Sequence, residues 1–160
     1  MRSSLLFRSL ILGATAAVVV LSGCSREKDR WLNRRYHEVT ARFNPLYNGQ
    51  VAYAEALALA QEAQQDDFTQ LIPVEDWTKV KTGTPGEVKA KRAVEKAAKT
   101  IQEHSMVFKG KQANPAVFDA YLLMARAQML MGLDAPASEA LSNVARLSTN
   151  PEQQVEAELE

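Results

Sequence analysis

Cysteine is nearly absent: Cys24 is the only one in 160 residues, so the chain can form no internal disulfide. Histidine is scarce too, and neither His37 nor His104 belongs to a His-Glu-x-x-His pattern. The seven glycines are scattered and build no phosphate-binding loop. A surplus of charge is missing, because Lys plus Arg and Asp plus Glu both number 19. Two of the basic residues, Arg2 and Arg8, lie in the leader segment, which leaves a mildly acidic body and argues against nucleic acid as a partner. The longest apolar run, Leu10 to Leu21, falls short of the roughly 20 residues needed to span a bilayer. The composition does allow a core: 46% of residues are apolar and 24% charged, too balanced for disorder by composition. The length suits one domain.

Residues 1–23 read as a signal peptide, with Arg2 and Arg8 flanking the start and the apolar run following. The run ends in Leu21-Ser22-Gly23-Cys24, which resembles the lipobox of bacterial lipoproteins: a branched apolar residue, two small ones, then cysteine. In that motif Leu21, Ser22 and Gly23 are what signal peptidase II recognises, small enough to let the backbone enter an enzyme in the membrane. Cys24 becomes the new N-terminus, because a thiol can carry a thioether-linked lipid. The competing reading is ordinary cleavage after Ala14-Thr15-Ala16, but that small-x-small pattern sits inside the apolar run. A covalent lipid on Cys24 is the one prosthetic group expected, and two or more acyl chains hold a protein durably where a single chain does not. Ser25 follows the cysteine, and the usual sorting rule of bacterial lipoproteins sends such a chain to the outer membrane. Residues 24–30 form a short tether of mixed charge without the acidic block that some groups use for surface export, so the expected side is periplasmic.

From residue 31 to 160 the periodicity is helical, and the expected class is all-α. Trp31, Arg35, Val39 and Phe43 recur at intervals of four, with Leu32 and Tyr36 widening the stripe. Asn44-Pro45 is expected to break that helix and Asn48-Gly49 to make a turn. An alanine-rich helix is expected from Gln50 to Gln65. Asp66 to Pro85 is irregular, with Phe68, Leu71, Ile72, Val74 and Trp77 folding back on the helices. A third helix runs from Glu87 to Met106, with Val94, Ala97, Ala98, Ile101 and Ser105 inward and its lysines and arginines as a solvated face. Lys109-Gly110-Lys111 is expected as a loop closed by Asn114-Pro115. Two more helices, Ala116–Met131 and Pro136–Ser148, are separated by Gly132. The second of these has Ala137, Leu141 and Val144 inward, and Asn150-Pro151 follows it.

That last pair resembles a tetratricopeptide repeat: small residues at the crossing, a glycine turn, a large apolar residue four after a small one, and a terminal Pro. Gln128 stands where the repeat has an aromatic, and Pro151 falls slightly late. The implied architecture is antiparallel helix hairpins stacked as a tetratricopeptide-like solenoid. The earlier pair, Trp31–Phe43 with Gln50–Gln65, has the same plan.

Two longer stretches carry a more specific likeness. One is Arg35-Tyr36-His37-Glu38-Val39-Thr40-Ala41-Arg42-Phe43-Asn44 with Tyr47-Asn48-Gly49. The other is His104-Ser105-Met106, Lys109-Gly110-Lys111, Asn114-Pro115 and Asp119-Ala120-Tyr121-Leu122-Leu123. In this order after a lipobox, they resemble the N-terminal part of the PorW/SprE family, tetratricopeptide-repeat lipoproteins of the type IX secretion and gliding machinery of Bacteroidetes. The resemblance covers Cys24 to about Ser148. It implies an outer-membrane lipoprotein facing the periplasm, whose partners are protein components of that machinery. Members of the family are several times longer, and this chain stops at Glu160 inside what reads as the first helix of another repeat, without the polar cap that repeat arrays need. The expectation is therefore a truncated array.

Catalysis is not expected, nor a small-molecule substrate, nor a metal. Once Cys24 is lipidated no nucleophile–histidine arrangement remains, and each histidine reads as a buried hydrogen-bonding group or an exposed one. Recognition remains, and on the final hairpin Asp119, Leu122, Arg126 and Met129 are the expected partner-binding face, with contact to a neighbouring hairpin as the plainer alternative. Two rival functions stay open: an adaptor for another envelope assembly such as outer-membrane barrel insertion, and an envelope enzyme or glycan binder using Trp77 and Asp66-Asp67.

Overall fold

The computed structural model describes residues 26–63, 79–148 and 150–159. The expected signal peptide, the lipobox with Cys24, Ser25 and the segment holding Asp66-Asp67 and Trp77 lie outside the described residues. What is described is mainly helical: α1 (Trp31–Ala41), a π-helical turn (Arg42–Leu46), α2 (Tyr47–Ala63), α3 (Pro85–His104), α4 (Pro115–Leu130), α5 (Asp134–Leu147) and α6 (Pro151–Leu159). Helices α2 to α6 pack chiefly against their neighbours in sequence, while α1 leans on α3 and α4. Among the described residues no helix is long and apolar enough to cross a membrane.

The expected break at Asn44-Pro45 does not occur. Pro45 sits inside the π-helical turn, and α1 continues through it into α2 without a gap. Proline lacks the N–H that would close an α-helical bond, and its ring crowds the carbonyl four residues back. One widened turn relieves the clash without ending the helix. The Asn44 carbonyl there accepts a hydrogen bond from Asn48 Nδ2 at 2.7 Å.

Asn48-Gly49 is likewise no turn. Gly49 is buried on α2, where a Cβ would lie 2.9 Å from Leu123 Cδ2 and 3.1 Å from Lys96 Cβ. The glycine lets α2 approach α3 and α4 closely. The expected first hairpin, Trp31–Phe43 against Gln50–Gln65, is therefore replaced by one long helix whose α2 half packs on α3.

Alanine builds most of the interfaces. Ala52, Ala56 and Ala60 of α2 face Ala90 and Ala93 of α3, and Ala93 and Ala97 face Ala127, Ala116 and Ala120 of α4. The buried stripe of α3 is Ala90, Ala93, Ala97, Thr100 and His104. It is rotated from the expected one, for Ala98 is exposed and Val94 and Ile101 are only half-buried. The smallest residues face inward because the helices approach closely. Helix α4 is the centre of the stack, with Phe118, Leu122 and Leu123 buried on different sides, as befits a helix covered by neighbours all round. Helix α5 runs antiparallel to it: Ala125 meets Ala137 and Ala140, while Phe118 and Leu122 meet Val144 and Leu147.

Two short strands correct the purely helical expectation. Val107–Phe108 (β1) pairs antiparallel with Lys111–Gln112 (β2). The turn between them has Lys109 at φ 51° and Gly110 at φ 76°, the left-handed pair that a two-residue hairpin turn needs. Helix α3 starts with a reciprocal cap, as Thr84 Oγ1 accepts from Glu87 N while Glu87 Oε2 accepts from Gly83 N. Lys99 pairs with Glu103 one turn further on, at 3.7 Å.

Candidate functional site

The four residues expected to bind a partner are engaged within the chain. Leu122 is buried among Phe118, Val144, Leu147 and Ala157, which corrects its placement on an outward face. Asp119 is half-buried and pairs with Arg42 of the π-helical turn at 3.6 Å. Burial raises its carboxyl above the ordinary value, and Arg42 opposes that rise. Arg126 pairs with Glu156 of α6 at 3.1 Å. Met129 packs against the Ala125, Ala137 and Ala140 group. These side chains hold helices together.

The two histidines, 67 residues apart, are both buried and meet: His37 Nδ1 and His104 Nδ1 lie 3.2 Å apart. Their rings cross at 62° with centroids 5.5 Å apart. A hydrogen bond between two Nδ1 atoms needs one donor and one acceptor, so one ring carries Nδ1–H, the other has a bare Nδ1, and the two cannot both be charged there. Burial, and then the neighbouring His37, holds the His104 imidazole below its ordinary value. The junction joins α1 to the end of α3.

Beneath it lies a hydrogen-bonded knot. Gln112 Oε1 accepts from the amides of Met106 (2.8 Å) and Asn114 (3.0 Å), while Gln112 Nε2 donates to Ser105 Oγ at 2.7 Å. Asn114 Nδ2 donates to the His104 carbonyl at 2.9 Å, and Asn114 Oδ1 caps α4 by accepting from Ala116 N at 3.1 Å. The buried polar groups of the α3–α4 connection are thus paired, as burial requires. An open cleft of about 760 Å³ borders the junction, lined by Arg26, Glu27, His37, Glu103, Ser105 and the hairpin residues Val107 and Phe108. The two imidazoles engage each other through Nδ1, and Ser105 Oγ accepts from Gln112. Among the described residues no group of three or more His, Cys, Asp or Glu could hold a metal ion.

The largest departure from expectation is on α1. Asn33, His37 and Ala41 face inward, and the apolar stripe faces out: Trp31 is 73% exposed, Leu32 62%, Val39 50% and Phe43 75%. The helix buries its polar side because hydrogen bonds are waiting there, including Asn33 Nδ2 to the Lys28 carbonyl at 3.1 Å. The exposed line continues through Tyr47 and Val51. One signal in the sequence pointed this way: Asn33, His37 and Ala41 also recur at intervals of four.

A scan against protein-family models and a search of the curated proteins both find no match to this chain.

Proposed function

We propose that this chain is a lipoprotein anchored through Cys24 in the outer membrane and facing the periplasm. Its tetratricopeptide-like body is an adaptor binding protein components of the type IX secretion and gliding machinery, and it supports protein secretion across the outer membrane. The proposed task is binding, not catalysis. The observation that carries the family part of the reading is the His37–His104 contact. The two stretches that resemble the PorW/SprE family lie far apart in sequence, and they pack on each other at that contact. Part of the second stretch meets in the α3–α4 knot: His104, Ser105 and Asn114 bond there around Gln112, and Lys109-Gly110 is the hairpin turn beside it. Helices α2 to α6, each leaning on its neighbours in sequence, leave extended side surfaces, the arrangement that repeat proteins use for docking partners.

Affinity purification from detergent-solubilised envelopes tests the assignment. Components of the type IX machinery are expected to co-purify with the tagged full chain. Barrel-assembly proteins in their place would support the rival adaptor reading, and peptidoglycan with no protein would overturn both.

A further inference from the structure

The outward stripe of α1 has an occupant that its chemistry and position identify. We propose that Trp31, Leu32, Val39 and Phe43 lie in the headgroup region of the membrane to which Cys24 is tethered, so that α1 is an interfacial helix parallel to the lipid surface. The proposal rests on the lipid-anchor reading. Three observations favour lipid over a protein or a second copy.

The first is reach. Six residues separate Cys24 from Trp31, which puts the start of α1 within about 25 Å of the anchored sulfur even when the tether is fully extended. The second is side-chain type. Trp31, Tyr36 and Phe43 share the exposed side with Leu32 and Val39, and tryptophan and tyrosine, with an apolar body and a polar edge, are the residues enriched where headgroups meet acyl chains. The stripe from Trp31 to Phe43 is about 19 Å long at helical rise, enough to rest on a bilayer and too short to cross one.

The third is charge. Residues 26–42 hold six basic side chains against three acidic ones, whereas residues 43–160 hold 11 basic against 16 acidic. The positive end of the molecule is therefore the end that carries the exposed aromatics. Arg30, Arg34, Arg35 and Arg42 are all exposed; Arg34, Arg35 and Arg42 also pair with Asp29, Glu38 and Asp119, and the basic surplus that remains draws that end toward anionic headgroups. Basic residues beside an aromatic face are the composition of helices that lie in a membrane interface. The acidic remainder of the body is turned from the same surface by repulsion.

The test uses the full lipidated chain carrying Trp77→Phe, which leaves Trp31 as the only tryptophan. It is reconstituted into vesicles of phosphatidylethanolamine with a minor share of phosphatidylglycerol, both brominated in the acyl chains. The same preparation is scored for a palmitate-analogue label. Trp31 is expected to emit at shorter wavelength than in detergent-free buffer and to lose most of its emission to bromine. Adding Leu32→Ser and Phe43→Ser, both at exposed positions, is expected to leave the circular dichroism spectrum unchanged and to abolish the quenching with the label retained. A labelled chain whose Trp31 stays water-like overturns the inference and leaves the anchor standing. An unlabelled chain removes the anchor and the inference together. Cross-linking of Phe43→Cys to a second copy or to a protein, with Trp31 unquenched, also overturns it.

Discussion

Replacing Gly49 by valine is expected to destabilise the protein by about 3 kcal/mol, the upper range for forcing atoms into a packed helix interface. Two effects compete at this position. Any side chain improves helix propensity over glycine, by about 1 kcal/mol for alanine and less for a β-branched residue. Against that, even the first carbon would sit 2.9 Å from Leu123 Cδ2 and 3.1 Å from Lys96 Cβ. Leu123 is buried and has little room to rotate, and Lys96 Cβ moves only with the backbone of α3. Overpacking wins for valine, and Gly49→Ala should cost less because its single methyl recovers the most propensity. Thermal unfolding followed by circular dichroism reads the difference, with exposed Gln50→Ala as a control expected to change little. A Gly49→Val protein as stable as the parent would contradict the close crossing of α2 with α3 and α4.

The second large effect is expected at Asn114, which is fully buried. Asn114→Ala removes the oxygen that caps α4, worth about 1 kcal/mol. It also strips a donor from the buried His104 carbonyl, and a buried polar group left unpaired costs about 1–3 kcal/mol. Together the loss should be about 3 kcal/mol. Asn114→Ser keeps a capping oxygen but cannot reach the His104 carbonyl, so it should recover about 1 kcal/mol of that. Urea unfolding of the two variants separates the contributions. If Ala and Ser behaved alike, the capping role assigned to the Oδ1 atom would be wrong.

Where the sequence was a good guide, local chemistry and tertiary structure agree. The helices expected at 87–106, 116–131 and 136–148 are found at 85–104, 115–130 and 134–147, because Thr84 and Asn114 cap two of them ahead of a proline and Gly132 closes the turn between the last two. Pro45 and Gly49 misled because each punctuates a helix when considered alone. A π-helical turn absorbs the first and a helix crossing requires the second, and neither is visible to a local rule. The inversion of α1 has a similar origin. Periodicity marks which residues share a face, not which face meets the core, and the buried choice follows from His37 meeting His104 across 67 residues. The two-residue strands are too short to leave an alternating pattern. On α4, neighbours cover the helix on several sides, so Leu122 is buried among α5 and α6 residues while Asp119 and Arg126 pair with Arg42 and Glu156.

Metabolic labelling of the full chain with a palmitate analogue tests the proposed lipid on Cys24. A labelled protein in the membrane fraction is expected, and an unlabelled, uncleaved precursor when Cys24 is replaced by alanine. A parent chain that takes up no label, or a Cys24→Ala variant labelled as strongly as the parent, would contradict it.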